Sequence, residues 1–203
     1  MRDAEDADLG DAGVGAGPDF REEVGGWGDG GGGMSVSLDF GFAAPFVCLW
    51  IRRDGEGRTF VVDEYVQQQR TIVEHVEQME GRVWGKVERV TCDPAGSSHS
   101  DQTAVSNVQY LKSRGYVVKH RKSLILEGLE MVRHALRPAL GEVRLFIHPR
   151  CGRLIKAMKG YWYAKGGSEL PVKDGEHDHL IDALRYHYVN AGSLTPAKRP
   201  WRY

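Results

Sequence analysis

The chain has 203 residues and a net charge of −1, and 41% of its residues are hydrophobic, which is enough for one domain with a buried core. No apolar run approaches the ~20 residues that cross a bilayer, and the first residues lack the basic-then-apolar layout of a secretion signal, so we expect a soluble, cytoplasmic protein. The three cysteines are scattered and form no CxxC pair, which argues against a disulfide framework and against a cysteine-based zinc site.

Charge and glycine content divide the chain near residue 33. Residues 1–33 hold nine acids and two arginines, a balance of −7, and they end in the run GGWGDGGGG. Such a segment cannot bury enough apolar surface to fold, so we predict a disordered tail or linker over 1–33, a folded domain over 34–192 and a tail over 193–203. The residues after 33 carry 25 Lys and Arg against 19 Asp and Glu, a basic balance that allows a nucleic-acid partner.

Three strands joined by hairpin-type turns open the folded part. SVSLDF (35–40) alternates apolar and polar residues, FVCLWIRR (46–53) is continuously apolar, and TFVVDEYV (59–66) follows the turn DGEG. Helices and short strands then alternate along the chain. We predict helices over 70–80, 100–115, 123–136, 151–163 and 175–188, and strands over 88–93, 116–120 and 143–149. This order predicts an α/β fold with a mixed central β-sheet flanked by helices.

Acidic residues stand at three places that this layout would bring together. Asp39 lies on the first strand, opposite its apolar neighbours, and Asp93 lies at the carboxyl end of the fourth strand, where open α/β sheets collect ligands. If the last helix packs beside these strands, Asp178 and Asp182 join them. Such carboxylates raise each other's pKa, and two divalent ions about 3.5–4 Å apart would compensate them and activate a water for attack on phosphate. Taken singly, each acid also fits an ordinary turn or strand end.

The last helix, within GEHDHLIDALRYHY, also admits a purely structural interpretation. Asp178 could cap the helix or occupy its first turn, and Asp182 could pair with Arg185 or Lys173. The opposite side would then form a buried apolar stripe. The members of this stripe are Leu180, Ile181, Leu184 and Tyr188. Zinc binding by the His177–His179 pair is disfavoured, because no third His or Cys lies nearby and hard carboxylates prefer Mg²⁺ or Mn²⁺.

Three stretches resemble the motifs of one family. LDFGFAAPFVCLWI, VTCDPAGSS and DHLIDALRYHY resemble, in this order, three acidic motifs of the C-terminal nuclease domain of phage large terminase subunits. The third stretch is the most specific, and the resemblance covers about residues 35–190. It implies a ribonuclease H-like fold and a metal-dependent DNA endonuclease that cuts concatemeric viral DNA during genome packaging.

The same resemblance implies roles for individual side chains. Asp39 would bridge two Mg²⁺ or Mn²⁺ ions, Asp93 would hold one of them and Asp182 the other. His179 would order the attacking water or ligate a metal, and Asp178 would be an additional ligand or a neighbour of the ligands. Glu64, in VVDEYV, occupies the typical acidic end of the third strand and is expected to be peripheral.

Basic residues would hold the DNA backbone. The densest basic region follows the fifth strand, and a second group lies on and after the helix over 151–163. The best candidates are Lys173, Lys122, Arg121 and Lys159. The resemblance further implies double-stranded DNA, a terminase ATPase domain, a small terminase subunit and a portal as partners. The sequence has no GxxxxGK[ST] motif, so we expect a nuclease domain without its motor: a detached domain, a fragment or the product of a split gene.

Two other functions remain open from the sequence. Another ribonuclease H-like nuclease, such as a junction resolvase or a transposase core, would share the fold and the acidic cluster. A non-catalytic module that docks on a portal or motor would need the scaffold but not the acids. Cleavage products on linear, branched and hybrid substrates separate the first alternative, and a portal affinity without cutting would support the second.

Overall fold

The computed structural model describes residues 33–97, 105–137, 141–160, 175 and 177–191. The strands are β1 (Met34–Asp39), β2 (Phe46–Arg53), β3 (Thr59–Gln67), β4 (Val87–Cys92), β5 (Val117–Lys119) and β6 (Leu145–Ile147). The helices are α1 (Ile72–Glu80), α2 (Asn107–Ser113), α3 (Ile125–Leu136), α4 (Gly152–Gly160) and α5 (Asp178–Asn190), and a 3₁₀ turn spans Pro94–Ser97. The predicted tails over 1–33 and 193–203 lie outside the described residues, apart from Gly33.

The strands form one mixed sheet in the order β5-β4-β1-β2-β3-β6. β1, β2 and β3 are antiparallel neighbours, as the short turns between them require, whereas β4 pairs in parallel with β1, β5 with β4 and β6 with β3. β1 and β4 are neighbours, as the convergence of Asp39 and Asp93 requires. Because β1, β4 and β5 are parallel, their carboxyl ends meet at the same edge of the sheet.

Helices cover both faces of the sheet, as predicted. Alternation along β2 sends Val47, Leu49 and Ile51 to one face and Phe46, Cys48 and Trp50 to the other. The first set packs against α3, α4 and α5, and the second against α1 and α2. A strand that is buried on both faces has little room for polar residues, which explains why FVCLWI is continuously apolar.

One helix begins later than the sequence predicted. The predicted helix over 100–115 is helical from Asn107 to Ser113, while Val105 lies outside the helix and Ser106 is extended. Ser106 caps it in a reciprocal capping box, because its hydroxyl accepts from the Gln109 N–H while the Gln109 side chain accepts from the Ser106 N–H. The first part of the predicted span, 100–104, lies outside the described residues.

The helix α5 is buried on nearly every side, and not along one stripe. The predicted stripe is buried, but Asp182, Arg185 and Asn190 on other sides are buried as well. The sheet lies on one side of α5, and α3 and α4 pack on its others. Small residues permit this close packing, since a Cβ on Gly128 of α3 would stand 2.2 Å from Cγ of Arg185. No helix in the described stretches is long and apolar enough to cross a membrane.

Candidate active site

The parallel pairing of β1 and β4 places Asp39 and Asp93 side by side. Leu38 pairs with Cys92 in the register, so the next residue of each strand stands at the carboxyl edge of the sheet. Asp39 lies on the same face of β1 as Ser37, whose hydroxyl donates to the Ala183 carbonyl of α5 at 2.5 Å. That face of β1 meets α5, so Asp39 points toward α5. It is also the face opposite the apolar residues of the strand, as the alternation in the sequence predicted.

Each of the three predicted carboxylates has a partner on α5. His179 Nδ1 lies 2.7 Å from Asp39 Oδ2, and Tyr186 donates its hydroxyl to Asp93 Oδ2 at 3.0 Å. On the helix itself, Arg185 Nε donates to Asp182 Oδ1 at 3.0 Å. The spacing of 179, 182 and 186 repeats one turn at a time, so these side chains share the face of α5 that meets the sheet edge.

The negative charges of Asp182 and Asp93 both act on the carboxylate of Asp39. The pKa of Asp39 is raised to about 6: burial raises it most, the hydrogen bond with His179 lowers it, and the negative charges of Asp182 and Asp93 raise it by smaller amounts. The pKa of His179 is raised, first by its hydrogen bond with Asp39. The pKa of Tyr186 is raised by burial and then by the charges of Asp182, Asp39 and Asp93, so its hydroxyl keeps its proton.

Asp178 is the first residue of α5 and is 5% exposed. His177 occupies the cap position without a side-chain bond to the helix, so Asp178 is not the cap but an acid of the first turn, where the helix dipole favours negative charge. Its Oδ1 atom is buried and meets no hydrogen-bond partner among the described residues. The structural prediction for Asp182 is confirmed, since it pairs with Arg185.

The donor set suits a hard divalent cation. Carboxylate oxygens are the ligands that Mg²⁺ and Mn²⁺ prefer. The negative charges of Asp182 and Asp93 both act on Asp39, and Asp178 Oδ1 is a buried acceptor without a donor among the described residues. In the part of the chain that the structure describes, no three His, Cys, Asp or Glu side chains already converge as a ligand group. Asp39 instead contacts His179, and Asp182 contacts Arg185, whose guanidinium neutralises part of the acidic charge.

The predicted DNA-binding residues differ in their surroundings. Arg121 contacts the last turn of α5, because its Nε donates to the Val189 carbonyl at 2.7 Å. Its Nη2 also donates to Glu127 Oε1 at 3.3 Å. Lys122 is exposed just after β5, on the sheet edge that carries Asp93. Lys159 is exposed in the last turn of α4. Lys173 lies outside the described residues.

Glu64 has a structural contact away from the acidic site. Its two carboxylate oxygens accept the backbone N–H groups of Arg153 and Leu154, each at 2.8 Å, and so satisfy the first turn of α4. β3 is separated from β1 by β2, which keeps Glu64 apart from Asp39.

Two contacts of Tyr186 were not predicted from the sequence. Its hydroxyl contacts Asp93, and its ring contacts Arg185. The guanidinium carbon of Arg185 lies 4.5 Å from the centre of the Tyr186 ring, a cation–π contact. The available signal was spacing: Tyr186 follows His179 by seven residues, two helical turns on the same face.

Comparison with known proteins agrees with the fold. A family described as the terminase RNaseH-like domain matches residues 36–191. The large terminase of the thermophilic bacteriophage D6E is similar in structure, with a TM-score of 0.61 and 24% identity over 77% of this chain and 39% of that chain. The nuclease domain of the P22 large terminase has a TM-score of 0.62 and 17% identity over 76% of this chain and 79% of that one. The chain therefore spans about two-fifths of the D6E protein. No curated protein matches it.

Proposed function

The chain belongs to the terminase RNaseH-like domain family, and we propose that it is a metal-dependent endonuclease that cuts concatemeric double-stranded phage DNA during genome packaging. One observation carries the proposal: Asp39 and Asp93 stand side by side at the carboxyl edge of the sheet, and α5, which carries Asp182, contacts both of them through His179 and Tyr186. Such a cluster is costly for a folded protein, and the cost is expected where a site must accept a cation.

Asp39, Asp93 and Asp182 would hold two Mg²⁺ or Mn²⁺ ions, with Asp178 as a further acceptor. Bound at such carboxylates, divalent ions polarise a phosphodiester and lower the pKa of a water for in-line attack. The protein's own residues prepare this site. His179 fixes Asp39 through Oδ2 at 2.7 Å, and Arg185 orients Asp182 through Oδ1 at 3.0 Å. Asp39, Asp178 and Asp182 are buried and Asp93 is half-buried, which strengthens their interaction with a cation.

The DNA would lie along the carboxyl edge of the sheet. Lys122 is exposed and follows β5 on this edge. Lys159 is exposed in the last turn of α4, whose final residue, Gly160, lies against His177 just before α5. Cations on both sides of the acids would bind the phosphates on either side of the cut. Arg121 would add charge on the side of Lys122, and Lys173 is proposed as a fourth contact. None of these residues forms a pattern that reads base edges, so we expect cutting with little sequence preference.

The likeness to a larger terminase suggests a working context. D6E large terminase structures include complexes with ADP and with ATPγS, and this chain matches 38–40% of that protein. We propose that an ATPase domain, a small terminase subunit and a portal cooperate with this nuclease domain, and that it acts in the cytoplasm of the host cell.

The test uses the full chain and supercoiled plasmid with Mg²⁺, Mn²⁺ or EDTA. We expect nicking and linearisation with either metal, none with EDTA, and loss of cutting in Asp93→Asn and Asp182→Asn. Glu130→Gln is the matched control, since Glu130 is an exposed acid on α3 that pairs with Arg133. Metal-dependent cutting that survives both aspartate substitutions would contradict the proposal. Faster cutting of a four-way junction or of an RNA–DNA hybrid than of linear duplex would favour the other ribonuclease H-like nucleases.

A further inference from the structure

Asp93 is held from two sides, and one of the two donors is a tyrosine on another element. Its Oδ1 accepts the N–H of Ala95 at 2.8 Å, and its Oδ2 accepts the Tyr186 hydroxyl at 3.0 Å. A carboxylate oxygen has two acceptor positions, so each oxygen keeps one for a further partner. The Ala95 bond comes from the turn of Asp93 itself, whereas the Tyr186 bond crosses from α5.

Tyr186 is itself fixed in place. It is 6% exposed, and the guanidinium of Arg185 lies 4.5 Å from its ring centre. Arg185 in turn contacts Asp182 and the Ser123 hydroxyl, and its stem packs on Gly128. The tyrosine therefore has a single orientation, with its hydroxyl at the acidic site and its ring in the packed face of α5.

We propose that Tyr186 is the positioning residue of the site: its hydroxyl orients the Asp93 carboxylate and thereby sets the affinity of the site for a divalent cation. This inference rests on the proposed function. Tyr186 does not touch the substrate or the ion in this role, and it acts through Asp93. Partners of this kind behind ligating carboxylates restrict their rotation, and their loss commonly weakens metal binding about 10- to 100-fold.

The chain contains a matched control for the tyrosine. Tyr188 belongs to the same helix, is 3% exposed, and its hydroxyl lies near Thr59 and not at the acids. Tyr186→Phe and Tyr188→Phe therefore remove the same atom from equally buried rings, and only the first removes a hydrogen bond to a predicted ligand.

The experiment titrates the full chain with Mn²⁺ by calorimetry, without DNA, and then measures plasmid cutting. We expect Tyr186→Phe to bind Mn²⁺ about 10- to 100-fold more weakly and to lower kcat with little change in KM for DNA. We expect Tyr188→Phe to match the wild type in both. In an Asp93→Asn background, Tyr186→Phe should cause no further loss of Mn²⁺ affinity, because the residue through which it acts is already altered.

The outcomes separate this inference from the proposed function. Wild-type Mn²⁺ affinity in a folded Tyr186→Phe chain, beside normal binding and cutting by the wild type, would overturn the inference alone. An unmodified chain that binds no Mn²⁺ would overturn both. If Tyr186→Phe does not fold, 3-fluorotyrosine at position 186 keeps the ring and makes the hydroxyl a stronger donor; an unchanged Mn²⁺ affinity there would also overturn the inference.

Discussion

His179 Nδ1 lies 2.7 Å from Asp39 Oδ2, although 140 positions separate the two residues. The contact joins the first turn of α5 to the last residue of β1. Asp39 is only 6% exposed, so its charge has lost most of its water and has gained one polar partner in return. This relationship makes the end of β1 a place where function and stability oppose each other.

Replacing Asp39 by Asn should stabilise the metal-free chain while abolishing cutting. Burial and the neighbouring acids raise the pKa of Asp39 to about 6, so the folded state disfavours its ionised form. At pH 8 in EDTA we expect Asp39→Asn to raise the free energy of unfolding by about 1–3 kcal/mol. The folded wild type takes up a proton as the pH falls through about 6, so the advantage of the variant should shrink toward pH 4.

Urea unfolding at pH 8, 6 and 4 measures this difference, with Glu130→Gln as the exposed control. A variant that is less stable than the wild type at pH 8 would show that the His179 contact outweighs the cost of burying the charge.

Replacing Arg185 by Met should strongly destabilise the metal-free chain. Arg185 and Asp182 are 5% and 7% exposed, and loss of the arginine leaves the carboxylate buried beside Asp39 without its cation. We expect a loss of up to about 3–5 kcal/mol in EDTA, the range seen when one partner of a buried ion pair is removed, and added Mn²⁺ should partly restore it by neutralising the same acids. Thermal unfolding with and without Mn²⁺ measures both effects.

Arg114→Met provides the comparison, because Arg114 pairs with Glu80 on the surface at 2.7 Å. We expect that substitution to change the stability little, because an exposed ion pair is screened by water and salt, and to show no response to Mn²⁺. Equal losses of stability in the two variants would contradict the prediction that removing the cation beside the buried Asp182 is the more costly change.

Replacing Gly128 by Ala should displace the Arg185 side chain that contacts Asp182. The new Cβ would stand 2.2 Å from Cγ and 2.6 Å from Cδ of Arg185, so the arginine stem or α3 must move. We expect a loss of about 1–3 kcal/mol in the free energy of unfolding and weaker Mn²⁺ binding. Gly152→Ala is the control, since nothing lies within 4 Å of its Cβ position at the start of α4; we expect no loss there. Full stability of Gly128→Ala would contradict the close packing of α3 on α5.

Replacing His187 by Phe should reduce the sensitivity of the fold to acid. His187 is 3% exposed, neither ring nitrogen has a hydrogen-bond partner in the described part of the chain, and burial lowers its pKa to about 3. Below pH 6.5 His187 takes up a proton in the unfolded chain but stays neutral in the folded chain. The wild type therefore loses stability as the pH falls. Removing this group should save about 2–3 kcal/mol between pH 7 and 4.5.

The measurement is the free energy of unfolding against pH for both chains. A residual slope is expected from His75, whose pKa burial lowers to about 4, and a variant that keeps the full wild-type slope would contradict the prediction.

Replacing Glu64 by Gln should weaken the fold and spare the chemistry. The glutamate accepts two backbone N–H groups at the start of α4, and an amide can replace only one of its acceptor oxygens. We expect a loss of about 1–2 kcal/mol in the free energy of unfolding, with unchanged Mn²⁺ affinity. A large loss of Mn²⁺ affinity in a stable variant would show that Glu64 belongs to the metal site after all.

Local pattern in the sequence was enough to predict most of the sheet and the place of the acids. The boundaries of β2 were predicted to the residue because a strand buried on both faces reads as an unbroken apolar run. Alternation in SVSLDF put Asp39 on the face away from Val36 and Leu38, and the DPAG turn put Asp93 at a strand end. These features depend only on neighbours in the chain.

Tertiary packing decided the rest. Periodicity predicted one buried stripe on α5, yet the helix is covered by the sheet, α3 and α4, because Ser37, Gly128 and Ala183 allow close approach. The partners of the acids were equally beyond a local pattern: Tyr186 meets Asp93 across 93 positions, and His179 meets Asp39 across 140. The sequence by itself determined which residues are acidic, apolar or able to cap. Which donor each of these acids receives depends on how α5 packs on the sheet, since a hydrogen bond forms only between groups that the fold brings within about 3 Å.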